Sequence, residues 1–237
     1  MKDYYSRKLS AERLRRCYEV APARTRRYLR AEVEFVLDRM PPSSSVLELG
    51  CGYGRVLVEL ARKASSVFGV DTSLESLAMA RETMPGSSAW RLAGMNAVDL
   101  AFRDGTFDTV ICIQNGLSAF KVDQRRVIEE AIRVTRPGGR ALFSSYAGKF
   151  WDHRLEWVRI QSEHGLLGEI DREATHDGVI VCKDGFRATT VGPDEFAILT
   201  SGLNVATRIT EVDGSSVFCE MLVPQAAFAA PPKRRFD

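Results

Sequence analysis

The chain has 237 residues, of which 45% are hydrophobic and 27% are charged, and its formal net charge is +2. These values are typical of an ordinary globular protein with one core, or with one core and a small added subdomain. The N-terminus lacks the apolar stretch of a signal peptide, and no segment approaches the roughly 18 uncharged apolar residues that a membrane span needs. We therefore expect a cytoplasmic protein with no membrane contact.

Positive charge is concentrated at the N-terminus. Residues 1–30 hold ten Lys or Arg residues and three acidic residues. Such an arm can attract nucleic acid, acidic lipid or an anionic substrate. A solvated helix face interrupted by acids is the simpler interpretation.

The cysteines and histidines do not predict a disulfide framework or a metal site. The five cysteines are odd in number and widely separated, and neither they nor the three histidines show metal-ligand spacing. We expect reduced thiols and no bound metal.

Predicted elements alternate between helix and strand as far as Tyr146. A first helix is predicted to end near Val20, and further helices are predicted over about 24–40, 54–64, 74–84 and 122–135. Strands are predicted at 46–49, 67–70, 90–92, 109–114 and 140–146. Strands separated by helices indicate a parallel sheet with right-handed crossovers and helices on both faces.

The pattern changes after Tyr146. A helix is predicted over about 150–164, followed by short antiparallel strands within 169–191 that have turn signals at Asp177-Gly178 and Asp184-Gly185. Another helix starts near Pro193. Two final strands, at 207–212 and 217–223, form a closing hairpin.

The most informative segment is Val46–Arg55, which reads VLELGCGYGR. Glycines at every second position, after a strand and before a helix, permit a sharp turn and let a ligand approach the backbone. A dinucleotide fingerprint would need its third glycine one residue later, where Arg55 stands. Glu48 would also sit poorly beside a pyrophosphate, and it suits a ligand that carries an ammonium group.

Asp71 ends the second predicted strand, 17 residues beyond Gly54. A carboxylate at this position can accept hydrogen bonds from both hydroxyls of a ribose. With Thr72 and Ser73 it can also cap the following helix. The coincidence of the strand end with the upstream glycines favours the ribose role.

These motifs resemble those of the class I S-adenosylmethionine-dependent methyltransferases of the small-molecule, type 11-like kind. Besides the glycine loop, the resemblance rests on GVDTS at 69–73, AGMNAVDLAF at 93–102, FDTVIC at 107–112 and RPGG at 136–139. It covers roughly residues 24–146 well and the rest in outline. It implies a doubly wound, Rossmann-like α/β fold, with a mostly parallel seven-stranded sheet, an antiparallel last strand and a small antiparallel insert.

The resemblance also implies S-adenosylmethionine as cofactor, with S-adenosylhomocysteine as product. Gly50, Cys51 and Gly52 would place their backbone against the methionine and ribose parts of the cofactor. Asp71 would hold the ribose hydroxyls, with Thr72 beside the adenine.

Further cofactor contacts are expected from the third and fourth strand ends and from the arm. Asn96 stands where the family usually has Asp, and its amide oxygen can still accept from the adenine amine, while Ala97 can donate its backbone amide. Gln114 would lie beside the methionine portion. Arg24 lies in a stretch resembling the glycine N-methyltransferases, in which this Arg pairs with the methionine carboxylate; a solvated helix face is the alternative.

The resemblance suggests five parts: an N-terminal helical arm or lid (1–40), a cofactor-binding core (41–149), a substrate-cover insert (150–191), a C-terminal helix and closing hairpin (192–230) and a tail (231–237). Tyr4 and Tyr5 can close over the cofactor or simply pack. Aromatic and histidine side chains of the insert are candidates for an acceptor pocket: Trp151, His153, Trp157, His164, His176 and Phe186.

The predicted function is methyl transfer to a nitrogen, oxygen or sulfur atom of a small molecule, by a monomer or homodimer and with no identifiable catalytic residue. The exit of the fourth strand lacks the Asn/Asp-Pro-Pro-aromatic motif of DNA amino methylation, so a nucleic-acid partner is disfavoured. The alternatives are an RNA or protein methyltransferase guided by the basic arm, a non-catalytic cofactor-binding subunit and, more remotely, a nicotinamide oxidoreductase.

Overall fold

The computed structural model describes residue 4, residues 8–83 and residues 90–225. Tyr5 of the expected lid and the predicted tail at 231–237 lie outside these residues. The described helices are α1 (Ala11–Glu19), α2 (Ala23–Arg39), α3 (Arg55–Leu60), α4 (Leu74–Thr83), α5 (Gly116–Ala119), α6 (Gln124–Val134), α7 (Trp151–Glu163) and α8 (Pro193–Thr200), with a 3₁₀ turn at Gly148–Phe150.

One seven-stranded sheet forms the centre of the molecule. Its strands are β1 (Ser45–Leu49), β2 (Ser66–Asp71), β3 (Trp90–Gly94), β4 (Phe107–Cys112), β5 (Thr135–Tyr146), β8 (Ala206–Val212) and β9 (Ser216–Leu222), in the order β3-β2-β1-β4-β5-β9-β8. Strands β1 to β5 run parallel, whereas β9 is antiparallel to both of its neighbours. The predicted fold is confirmed, including the antiparallel last strand.

The sheet is buried on both faces because helices pack on each side of it. Side chains alternate along a strand, so successive residues face opposite layers. One layer joins Leu47, Val110 and Phe143 to Val127 and Ala131 of α6. The other joins Val46, Ile111 and Leu142 to Val36 of α2 and Leu57 of α3. Burial of each of the larger of these side chains contributes about 1.5–3 kcal/mol, and this packing fixes the carboxyl ends of the central strands relative to one another.

Strand β5 begins at Thr135, earlier than the predicted start at Arg140. The Pro137-Gly138-Gly139 segment that was expected to separate helix from strand is part of the strand, although Gly138 has a φ of +78°. The Gly138 N–H donates to the Val223 carbonyl, and the Gly139 carbonyl accepts the Val223 N–H. A Cβ on Gly139 would lie 2.8 Å from the backbone oxygen of Asp108, so glycine permits this close strand contact. The turn signal therefore marks an irregular strand start.

The insert forms a second, two-stranded antiparallel sheet of β6 (Ile180–Val181) and β7 (Arg187–Ala188). Its strands have only two residues each, shorter than the pattern of 169–191 suggested. Asp177, Gly178 and Gly185 adopt positive φ and turn the chain away from longer ladders. The predicted small antiparallel insert is confirmed in this shorter form.

Two further findings concern the cysteines and the apolar character of the helices. All five cysteines are free, as their spacing predicted, and the structure shows that all five are buried. Within residues 8–83 and 90–225, no helix combines the length and the apolar character needed to cross a membrane.

Candidate functional site

A cavity of about 410 Å³ opens at the carboxyl ends of β1, β2 and β4. This is the point where the strand order reverses, at which open α/β sheets form a ligand crevice. The cavity brings together eight of the nine residues that the sequence predicted for a cofactor site. They are Gly50, Cys51, Gly52, Asp71, Thr72, Asn96, Ala97 and Gln114.

The glycine loop turns sharply between β1 and α3. Gly50, Gly52 and Gly54 have φ values of +74°, +52° and +86°, in the left-handed region that favours glycine. The N–H groups of Gly50 and Cys51 donate to the Val70 carbonyl at 2.8 and 3.1 Å. These bonds hold the loop against the end of β2, so its backbone lines the cavity.

Asp71 is held rigidly at that same point. Its Oδ2 accepts the Gly52 N–H at 2.8 Å, and its Oδ1 accepts the Ser73 N–H at 2.8 Å. The helix cap itself is Ser73, whose Oγ accepts the Ser76 N–H at 3.2 Å. Each carboxylate oxygen can accept more than one hydrogen bond, so Asp71 retains capacity for two ligand hydroxyls while orienting the loop.

The β3 end of the cavity carries Thr72, Asn96 and Ala97. Met95 donates its N–H to the Asp71 carbonyl at 3.1 Å, which joins this segment to the end of β2. The Asn96 side-chain oxygen accepts the Val98 N–H at 3.2 Å. That bond orients the amide and leaves a second acceptor position on the oxygen.

Glu48 is a buried carboxylate that lines the cavity beneath the glycine loop. No group in the described residues donates a hydrogen bond to its Oε2. Burial raises the pKa of Glu48 to about 8, with the Arg55 guanidinium opposing the rise and Asp71 adding to it. An unsatisfied buried carboxylate oxygen of this kind fits a cationic ligand group.

Arg24 lies outside the cavity, contrary to the cofactor role considered for it. Its guanidinium bonds to the side chain and the carbonyl of Asp213, both at 2.8 Å, and packs 4.9 Å from the centre of the Phe150 ring. The first turn of α2 thus faces the β8–β9 turn, so Arg24 serves as a tertiary contact there. The short sequence match could not show which way this helix turn points.

Arg55, unlike Arg24, is an arginine that lines the cavity. It begins α3, packs 4.3 Å from the centre of the Tyr18 ring and donates to the side-chain oxygen of Gln114. Its buried Nε has no acceptor among the described residues. The sequence signal was its place directly after the third glycine, which indicated only that the dinucleotide pattern fails.

Gln114 lies just past β4 with a φ of +58°. Its N–H donates to Glu32 Oε2 and to Ser144 Oγ, each at 2.8 Å. Glu32 is fully buried on α2, and burial raises its pKa to about 7. In the sequence, the acidic Glu32 stands among the apolar positions of α2. This is the signal from which a contact between α2 and the end of β4 could have been predicted.

The side of the cavity beyond β4, which we call the acceptor end, is lined by Tyr146, Arg154, Trp157, Gln161 and Phe186. Trp157 and Phe186 were among the insert side chains considered for an acceptor pocket, and both line this cavity. Trp151, His153, His164 and His176 are not among the described lining residues.

Helix α1 covers the cavity with Leu14, Cys17 and Tyr18. The Trp157 indole N–H donates to the Cys17 carbonyl at 2.9 Å, which joins α1 to α7. Tyr4 packs edge-on against Phe186 and hydrogen-bonds to Asp184, so it lies against the insert. Of the described part of the N-terminal arm, α1 is thus the helix that covers the cavity.

Comparisons with known proteins agree with this geometry. Residues 46–139 match the family described as a methyltransferase domain. An alignment over 121 positions, which covers 47% of this chain, is 31% identical to 2-methyl-6-phytyl-1,4-hydroquinone methyltransferase of Synechocystis sp., of which it covers 37%. The chain spans about half or less of the length of the curated relatives it matches.

Solved structures show the same fold at low sequence identity. The PH0226 protein of Pyrococcus horikoshii has a TM-score of 0.61 and 22% identity, with 86% of this chain and 93% of that chain covered. The N-methyltransferase NodS of Bradyrhizobium japonicum, solved with S-adenosyl-L-homocysteine, has a TM-score of 0.57 and 15% identity, with coverages of 84% and 87%. The motifs, the strand order and the match of residues 46–139 support a class I S-adenosylmethionine-dependent methyltransferase domain in this chain.

Proposed function

We propose that the protein is an enzyme that transfers the methyl group of S-adenosylmethionine to a nucleophilic atom of a small molecule. The observation that carries the proposal is the hydrogen bond from the Gly52 N–H to Asp71 at 2.8 Å. This bond places the glycine loop and the strand-end carboxylate in one cavity, in the arrangement that a nucleoside with free ribose hydroxyls requires.

The cavity residues fit the parts of this cofactor one by one. Asp71 binds the ribose hydroxyls, and Asn96 and Ala97 bind the adenine edge. The unsatisfied Glu48 oxygen binds the methionine ammonium. Arg55, in the role first considered for Arg24, binds the methionine carboxylate through its guanidinium.

The bound cofactor supplies a methyl group on a sulfonium, which is already a good leaving group. The chain mainly has to hold the acceptor in line with that methyl group and to exclude water, and positioning alone can supply several kcal/mol of barrier reduction. A general base is needed only for an acceptor that is protonated at the working pH. The lining residues that the structure describes include no histidine.

A small acceptor is favoured by the way α1 and α7 close over the cavity. The basic arm, which suggested RNA or protein as acceptor, makes several contacts within the chain itself. Arg13 donates to the carbonyls of Gly165 and Leu166, and Arg24 and Arg27 bond to Asp213. The matched Synechocystis relative is named for a hydroquinone acceptor, which is also a small molecule.

Calorimetric titration tests the cofactor assignment. We expect S-adenosylhomocysteine to bind with a micromolar dissociation constant and NADH not to bind. Absence of S-adenosylhomocysteine binding at millimolar ligand would refute the proposal. Methyl transfer is then measured with a panel of amines, phenols, thiols and carboxylic acids, and cofactor binding without any turnover would point to the non-catalytic subunit.

A further inference from the structure

The acceptor end lies well away from the residues assigned to the ribose. Strands β2, β1, β4 and β5 are successive neighbours in the sheet. At about 4.8 Å per strand, the ends of β2 and β5 are separated by roughly 14 Å. Asp71 ends β2 and Tyr146 ends β5. A ligand that places its ribose on Asp71 therefore leaves the β5 side of the cavity for a second molecule.

Arg154 brings a permanent positive charge to the acceptor end. Its side chain lines the cavity although the residue is only 2% exposed. The guanidinium donates to the Gly178 carbonyl at 2.7 Å and lies 4.8 Å from the centre of the Tyr146 ring. Guanidinium groups stay charged in proteins, and their planar array of N–H donors matches a carboxylate.

The neighbours of Arg154 position it beside the β4 exit. Its Nη2 approaches the Thr189 carbonyl at 3.4 Å, and the same carbonyl accepts the Asn115 side-chain N–H at 2.9 Å. Asn115 follows Gln114 directly and also lines the cavity. Arg154 is thus tied to the segment that faces the methionine part of the cofactor.

The acidic residues of the cavity lie at one of its ends. They are Glu48 and Asp71 at the glycine loop, where Arg55 also lines the cavity, and the other cations in the described lining are Lys121, in the segment after α5, and Arg154. The proposed ligand groups of the two acids are the ammonium and the ribose of the cofactor. At the acceptor end, Arg154 lines the cavity together with Tyr146, Trp157 and Phe186, and its guanidinium lies over the Tyr146 ring.

We propose that the methyl acceptor is a small aromatic or otherwise apolar molecule that carries an anionic group, with a carboxylate as the simplest form, and that Arg154 binds this group. This inference rests on the proposed function, because it assumes that the cofactor fills the glycine-loop end. The aromatic rings contact the apolar body of the acceptor, and Arg154 selects acids over neutral analogues.

The test compares phenylacetate with phenylacetamide, which differ in charge and hardly in shape. The protein is first saturated with S-adenosylhomocysteine, and each probe is then titrated by calorimetry. We expect the wild type to bind phenylacetate about tenfold more tightly than phenylacetamide, because hydrogen bonds between two charged groups are the stronger ones. Arg154→Gln should abolish this preference, and Arg154→Lys should keep most of it.

Arg159→Gln is the matched control, since Arg159 lies on the same helix and pairs with Glu163 in an exposed position. It should leave the preference unchanged. Equal binding of acid and amide, a preference that survives in Arg154→Gln, or no phenylacetate binding at about 10 mM would each overturn the inference.

Two controls separate this inference from its premises. Failure of the proposed function shows in the first titration, as absent S-adenosylhomocysteine binding, before any probe is added. If Arg154→Gln does not fold, the wild-type comparison and Arg154→Lys decide: an acid preference that is retained in a folded Arg154→Lys protein supports the proposal, and equal binding of acid and amide in the wild type refutes it.

Discussion

The two ends of the cavity are built in different ways. The glycine-loop end is formed by a continuous loop and by adjacent strand ends, and its Asp71 is held by two backbone N–H groups. The acceptor end is formed by side chains from the end of β5, from α7 and from the segment before β7, and one of its supporting bonds joins Trp157 to the Cys17 carbonyl of α1, 140 residues apart in sequence. A site made of local backbone can be identified from a short motif, whereas a site made of distant side chains depends on tertiary packing.

Asp71→Ala provides the strongest test of the backbone-built end. We expect cofactor affinity to fall by about 1–3 kcal/mol, because the ribose hydroxyls lose a charged partner. Calorimetry with S-adenosylhomocysteine measures the loss. Asp38→Ala, an exposed position on α2, is the control and should have no effect. An unchanged affinity in Asp71→Ala would show that the ribose binds elsewhere.

A pair of arginine variants tests which arginine binds the cofactor carboxylate at the glycine-loop end. Arg55→Gln should weaken S-adenosylhomocysteine binding about tenfold, because a charged hydrogen bond to the ligand carboxylate is lost. Arg24→Gln should change that affinity less than about twofold, since Arg24 is occupied by Asp213. The reverse ranking in the same titration would restore the first assignment of Arg24.

The raised pKa of Glu48 should make both the stability of the protein and its affinity for the cofactor depend on pH. Its folded-state pKa of about 8 lies above the ordinary value of 4.5, so the ligand-free protein loses stability as pH rises from 4.5 towards 8. A bound ammonium group favours the carboxylate, so affinity for S-adenosylhomocysteine should increase up to about tenfold per pH unit between 6 and 8.

Proton release measures this coupling directly. Titrations at pH 7 in two buffers of different ionisation enthalpy should show protons released on binding in the wild type. The Glu48→Gln protein should release none, and its ligand-free form should be more stable than the wild type at pH 7. Binding without proton release in the wild type would place the ammonium away from Glu48.

The smallest expected effect concerns the join between α1 and α7. Trp157→Phe removes the hydrogen bond to the Cys17 carbonyl, so the free energy of unfolding should fall by about 0.5–1.5 kcal/mol. Urea unfolding measures this change, with Trp151→Phe on the same helix as the control. Affinity for S-adenosylhomocysteine should stay within about twofold, and a large loss would mean that the two ends are not independent.

Much of the fold and of the glycine-loop end could be predicted because the responsible patterns are local. The alternation of apolar strands and helices predicts that the strands run parallel. The spacing of Gly50, Gly52 and Gly54 predicts a sharp turn of the backbone. Asp71 follows from its place at a strand end. These features need no knowledge of which distant segments meet.

The remaining features depend on contacts that a one-dimensional pattern does not contain. Whether Arg24 or Arg55 enters the cavity is set by the rotation of a helix turn relative to the sheet. The start of β5 at Thr135 depends on a close approach to Asp108 that only Gly139 permits. Arg154 is one of many arginines in the sequence, and only packing of α7 against the insert brings it into the cavity.

The most direct test of the whole account is a crystal structure with S-adenosylhomocysteine bound. We expect both ribose hydroxyls on the Asp71 carboxylate, the ammonium within hydrogen-bonding distance of Glu48 and the sulfur facing the side of the cavity that holds Arg154. A ligand bound outside this cavity, or one that turns its sulfur away from Arg154, would contradict the assignment of the two ends.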